Sequence, residues 1–217
     1  MKKTFLFIAV LCLVLSDAVA QLEKGNLMFG VTSTFAVKGV WGSELGSLAL
    51  TKTKHNDGTT TEDLYNKSTY NLLPKAGYFI IDNLVAGLEV IVSGYTEENT
   101  AYEGKWSEST LGIGPFVRYY YPLDKIYPFA EVGAVFGMYK DKWPNSGGGF
   151  NEEKNGLFTF GGFLGAALPL GDKVTIDIMA GYLRTSINYP ADETGESEDY
   201  RMISGGAGIK VGFSIYL

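Results

Sequence analysis

The chain has 217 residues, of which 28 are glycine; 46% are hydrophobic and only 19% are charged. An average protein carries about 7% glycine and about 25% charge, so this composition excludes a disordered or nucleic-acid-binding tail protein. One cysteine and one histidine exclude a disulfide scaffold, a cysteine zinc site and a multi-histidine centre, so no metal and no cofactor is expected.

The amino-terminal segment reads as an export signal. Lys2 and Lys3 are followed by an apolar run from Phe5 to Leu15, and then by Ala18-Val19-Ala20. Positive start, short hydrocarbon stretch and small-x-small site are the three parts of a cleaved signal, with cleavage expected between Ala20 and Gln21. The run is shorter than the roughly 20 residues of a spanning helix. Cys12 follows Leu11 inside it, where a lipoprotein signal requires a small residue. The expected domains are therefore a signal peptide, 1–20, and one folded unit, 21–217. Removing Lys2, Lys3 and Asp17 from 18 basic and 24 acidic side chains leaves 16 and 23, a net charge of −7. That sign argues against a nucleic-acid partner.

Downstream the hydrophobic pattern has period two, which puts alternate side chains on opposite faces of a strand. Leu27 to Val37 places Leu27, Phe29 and Val31 against Gly30, Thr32 and Thr34. Tyr70 to Ile81 sets Leu72, Ala76, Tyr78 and Ile80 against Asn71, Lys75 and Gly77, and Leu84 to Tyr95 sets Leu88, Val90 and Val92 against Glu89 and Ser93. Thr110 to Tyr121, Phe129 to Tyr139, Leu157 to Leu168 and Val174 to Thr185 repeat the alternation. The last strand starts at Arg201, with Ile203, Ile209, Val211, Phe213, Ile215 and Leu217 on one face and Gly206, Gly208, Lys210, Gly212 and Ser214 on the other. This predicts eight strands.

Asp82-Asn83, Leu123 to Ile126 and Gly171 to Lys173 predict tight turns, whereas 38–68, 96–108, 140–155 and 186–200 predict long polar loops. Short turns at one end and long loops at the other describe an all-β, eight-stranded, antiparallel up-and-down transmembrane β-barrel. Ser47 to Lys54 has strand character; a ninth strand would break the parity, so it is placed as an extension of the first loop. Gly39-Val40-Trp41 satisfies the Gly-x-Trp pattern of soluble lipocalin barrels. The face rich in glycine is too small to be a solvent surface, however, and points the apolar face at lipid.

Pro74-Lys75-Ala76-Gly77-Tyr78-Phe79, Asp82-Asn83-Leu84 and Gly112-Ile113-Gly114-Pro115-Phe116-Val117-Arg118-Tyr119-Tyr120 resemble the small outer-membrane β-barrel family of Gram-negative bacteria, of the OmpX and OmpA-transmembrane-domain kind. The resemblance covers essentially the whole mature chain. It implies residence in the outer membrane among lipids and lipopolysaccharide, after insertion by the barrel-assembly machinery. Phe213, Ile215, Tyr216 and Leu217 resemble the terminal signal that this machinery reads, with leucine where an aromatic residue is more usual. The chain stops at the eighth strand, so a peptidoglycan-binding domain is not expected.

Six charged side chains face inward along the strands, Lys75, Glu89, Arg118, Glu131, Asp177 and Lys210, and they sum to zero. Pairing Ile80 with Leu84 sets Lys75 opposite Glu89, and pairing Pro122 with Tyr127 sets Arg118 opposite Glu131. Asp177 and Lys210 lie on neighbouring strands of open register. The expectation is a lumen plugged by salt bridges, because eight strands leave room only for side chains. A small ion-conducting channel is the alternative. The rival class is a lipid A-modifying enzyme, which would need His55 beside a serine or threonine and an orienting carboxylate; otherwise His55 is a polar loop residue. The acidic runs Asp192, Glu193, Glu196, Glu198, Asp199 and Glu97, Glu98, Glu103 lack calcium-loop spacing and read as a solvated rim. A non-catalytic outer-membrane protein follows, with an envelope-integrity or surface-binding role through loops that meet an extracellular ligand.

Overall fold

The computed structural model describes residues 22–36, 49–55, 63–99, 104–121, 123, 125–145, 147–190 and 199–217. The expected signal peptide, its cleavage site, the Gly39-Val40-Trp41 motif, Glu103 and the acidic run 192–198 lie outside the described residues. The strands are β1 (Leu27–Ala36), β2 (Ala49–His55), β3 (Asp63–Ile81), β4 (Leu84–Asn99), β5 (Gly104–Tyr120), β6 (Tyr127–Pro144), β7 (Phe150–Pro169), β8 (Val174–Tyr189) and β9 (Tyr200–Tyr216). All neighbours are antiparallel, and β1 pairs with both β9 and β3, which closes the sheet.

Nine strands make eight staves. β1 pairs with β3 over Leu73 to Tyr78, whereas β2 pairs with the same edge higher up, from Asp63 to Thr69. The segment predicted as a loop extension is thus a short strand that hairpins onto β3 and leaves the barrel parity even. At the closure Leu27 and Leu217 exchange backbone hydrogen bonds of 2.8 and 2.9 Å. Over the height where β1 meets β3 the ladder is closed on itself, the condition for crossing hydrocarbon.

The tight turns form where expected. Asn83 adopts a positive φ of 64° in the two-residue turn after β3, and Gly171 one of 74° after β7. Both are left-handed conformations that asparagine and glycine tolerate. The opposite end corrects the sequence reading: most of 96–108 and of 140–155 is strand, not loop, and 186–189 still belongs to β8, while 191–198 lies outside the described residues. The β6–β7 ladder runs unbroken to Pro144↔Phe150. Polar residues such as Lys140, Glu152 and Lys154 carry no hydrophobic alternation, so the pattern fades where the wall leaves the lipid. The hydrogen-bond ladder continues regardless.

The faces sort as the alternation predicts. Leu88, Leu111, Val132, Phe136, Leu164 and Phe213 point outward and are exposed. Together they form an apolar belt far beyond the few hundred Å² that a soluble monomer shows. Tyr78, Tyr119 and Tyr121 ring the turn end of this belt, and Tyr182 stands toward its other end, the distribution of an interfacial girdle. Inside, Gly114 and Gly181 sit so close to the carbonyl oxygens of Ala134 and Gly162 that a Cβ would collide with backbone.

Candidate functional site

Cross-strand register decides which inward side chains meet. Lys75 lies directly opposite Glu89, and Arg118 opposite Glu131. The turn-level pairing differs from the expectation, with Ile81, not Ile80, opposite Leu84. A register shift between Phe79 and Ile81 absorbs the extra residue and leaves the Lys75 pairing in place. Asp177 and Lys210 do not face each other: Asp177 is opposite Gly212, and Met179 is opposite Lys210.

The six charges form one continuous chain across the lumen. Lys210 Nζ lies 3.6 Å from Glu89 Oε1, and Lys75 Nζ lies 2.7 Å from Glu89 Oε2 and 2.8 Å from Glu131 Oε1. Arg118 donates from Nε to Glu131 Oε2 at 2.7 Å and from Nη1 to Asp177 Oδ2 at 2.5 Å. Signs therefore alternate from Lys210 to Asp177, and each interior member has opposite charges on both sides. Hydroxyls complete the last carboxylate: Thr175 donates to Asp177 Oδ1 and Ser214 to Oδ2, both at 2.7 Å. Arg118 and Asp177 are fully buried. Charges survive such burial only when paired and hydrogen-bonded.

Aromatic rings seal the space around the charges. The Arg118 guanidinium carbon lies 4.1 Å from the centre of the Phe129 ring, Lys210 Nζ 4.3 Å from Phe163 and Lys75 Nζ 4.9 Å from Phe116. These are cation–π distances. Toward the turn end, Met28, Phe79, Val85, Tyr120, Ala167, Met179 and Tyr216 pack into an apolar floor. Tyr120 joins floor to network: it accepts from Arg118 Nη1 at 2.9 Å and shares a 3.0 Å hydrogen bond with the Tyr216 hydroxyl. Sequence reasoning missed this floor. Its signal was present, because Phe79, Phe116, Phe129 and Phe163 fall on the parity of Lys75, Arg118 and Glu131. A cavity of about 30 Å³ remains above the network, lined among others by Asn71, Glu89, Ile91 and Lys210. That is room for a water or two.

The remaining sequence candidates separate. Tyr216 is buried in the lumen while Phe213 and Leu217 face outward, with Ile215 half-buried on the outer parity. His55 ends β2, with its backbone opposite Asp63. Among the described residues no group of three histidine, cysteine, aspartate or glutamate side chains is disposed to hold a metal ion.

No protein-family model matches the chain, and no curated protein sequence matches it. Among solved structures it is similar to Escherichia coli outer membrane protein W (14% identity, TM-score 0.49, covering 89% of this chain and 98% of that one). It is also similar to the attachment invasion locus protein Ail of Yersinia pestis, solved in complex with the heparin analogue sucrose octasulfate (10%, 0.47, 89% and 99%). A third is OprG of Pseudomonas aeruginosa (12%, 0.44, 92% and 99%). These three are small outer-membrane barrels.

Proposed function

We propose that this protein is an integral, non-catalytic barrel of the Gram-negative outer membrane, closed to ions and serving envelope integrity or surface binding through its strand extensions. The observation that carries this reading is the closed eight-stave wall, apolar outside and filled inside by the Lys210-to-Asp177 charge chain over an aromatic floor. The network acts as a structural plug, since an open pore would need the space that these side chains take. Outward cations above the belt, including Lys105, Lys140, Lys142, Lys154, Arg184 and Arg201, suit the phosphates of lipopolysaccharide. The segment from Phe213 to Leu217 serves as the insertion signal, and Ala20–Gln21 as the cleavage site.

Three measurements test this. Protease added to intact cells is expected to cut only near 38–62, 96–108, 140–155 and 186–200; a cut at Asp82-Asn83 or Lys125 overturns the topology. In planar bilayers the purified barrel is expected to conduct negligibly, and a stable porin-sized current overturns the plug. Lipid A from cells with and without the protein should have the same masses; a protein-dependent acyl change would restore the enzyme reading.

A further inference from the structure

Above the plug the inward face changes character. The register brings Glu108 directly opposite Asp141, and Asp141 directly opposite Glu153. Three carboxylates from β5, β6 and β7 thus stand side by side in one row across the mouth. Neighbouring strands are about 4.8 Å apart, and like charges placed directly opposite each other are destabilising. Lys140 and Lys154, at the same height, belong to the outer face and pair there with Glu152.

The surroundings of the row are aromatic. Trp106 donates from Nε1 to Asp141 Oδ1 at 2.8 Å, and Trp143 occupies the inward position next to Asp141 on β6. Beneath, Tyr139 hydrogen-bonds Glu108, and Tyr189 stacks on Tyr200 with ring centres 4.6 Å apart. Burial first, then Tyr200, Glu153, Asp141 and Glu108, push the Tyr189 phenol up to about 12, the response of a group in a field of negative charge. An independent feature lies one position below Glu153. Asn155, opposite Tyr139, is 1% exposed, and neither its carbonyl oxygen nor its amide nitrogen has a hydrogen-bond partner. Buried amides are ordinarily satisfied.

We propose that the mouth of the barrel binds a linear polyamine, its ammonium groups laid along Glu108, Asp141 and Glu153 and its methylenes against Trp106, Trp143 and Tyr139. A compact divalent ion fits poorly, because the carboxylates form a row and do not converge. A chain of amines separated by a few methylenes matches a row with a repeat of about 4.8 Å. The aromatic walls suit ammonium and hydrocarbon together, and the carbonyl oxygen of Asn155 is an acceptor waiting for an N–H. The site would supply the ligand of the surface-binding role proposed above, yet a titration in micelles reads it whichever compartment the mouth faces.

The test is calorimetric titration of the refolded full-length protein in detergent micelles with spermidine. Saturable binding is expected, with a shift of the Trp106 indole N–H resonance. Magnesium at matched ionic strength should neither reproduce the shift nor compete. Asp141→Asn and Glu153→Gln should each weaken binding about tenfold while raising the melting temperature of the unliganded barrel, because each relieves repulsion along the row. Glu152→Gln, one residue away on the outer face, should leave binding unchanged. Absence of saturation, equal competition by magnesium, or equal losses in Glu152→Gln and Glu153→Gln overturns the proposal. So does binding confined to a basic peptide.

Discussion

Arg118 offers the sharpest perturbation of the plug, because it is the only partner cation of Asp177 in the network and one of two for Glu131. In Arg118→Met the apolar length of the side chain stays against Phe129, while both charge-assisted contacts vanish. Glu131 keeps Lys75. Asp177, fully buried, keeps only the hydroxyls of Thr175 and Ser214. Removing one member of a buried pair costs about 3–5 kcal/mol, and the residual hydroxyl bonds place this case near the lower end. The double variant Arg118→Met, Asp177→Asn removes the orphaned charge and should recover about half of that loss. Urea unfolding in micelles, followed by the gel shift between folded and unfolded barrel, measures all three proteins. A loss below about 1 kcal/mol for the single variant, within the range of exposed pairs, would refute the reasoning. So would a double variant no more stable than the single one.

Other elements give independent outcomes. Phe116→Ala should cost about 3–5 kcal/mol, the range for emptying a large aromatic site, read in the same unfolding assay. Gly114→Ala should lower stability or folding yield although it adds only a methyl, since that methyl meets the Ala134 carbonyl. Tyr189 should ionise near pH 12 by NMR of labelled tyrosine, and earlier in the Asp141→Asn, Glu153→Gln double variant. The folded protein holds the Tyr189 proton more tightly than the unfolded chain. The associated stability is therefore whole below about pH 10 and lost between about 10 and 12.

The legible part of this fold is the part that touches lipid. Outward residues from Leu111 to Tyr119 must be apolar at every second position, so period two survives intact and fixes both faces. The opposing pairs Lys75–Glu89 and Arg118–Glu131 followed from parity and short connections, two residues between β3 and β4 and six between β5 and β6, which leave little freedom of register. Asp177 could not be assigned in this way. Its partner Arg118 lies across the lumen, 59 residues away in sequence, and no local rule reports a contact through the interior. The floor was hidden for a related reason: Phe79 and Phe163 are apolar on the face expected to be polar, so they blurred the alternation. The strand extensions were invisible because paired backbone outside the membrane imposes no hydrophobic pattern on residues such as Lys142 or Asn151.

Among the described residues, two clusters of inward charge obey opposite rules. The lower group is balanced: six charges of alternating sign, buried, each with a partner of opposite charge, with rings against the cations. Nothing added to it would gain much, and anything removed leaves a charge stranded in a medium that cannot solvate it. The upper row has one sign only, sits where water can reach it and stands over an amide with no partner. Repulsion along such a row lowers stability, and an incoming cation would relieve it. Chemistry in this molecule is therefore to be sought at the mouth, with the lower network holding the wall rigid beneath it. Neutralising a charge in the two places should have opposite effects. Asp177→Asn alone should weaken the fold by leaving Arg118 underpaired, whereas Asp141→Asn should strengthen it. A shift of the same sign in both variants would mean that the row is already compensated, and the mouth would then be structure, not site.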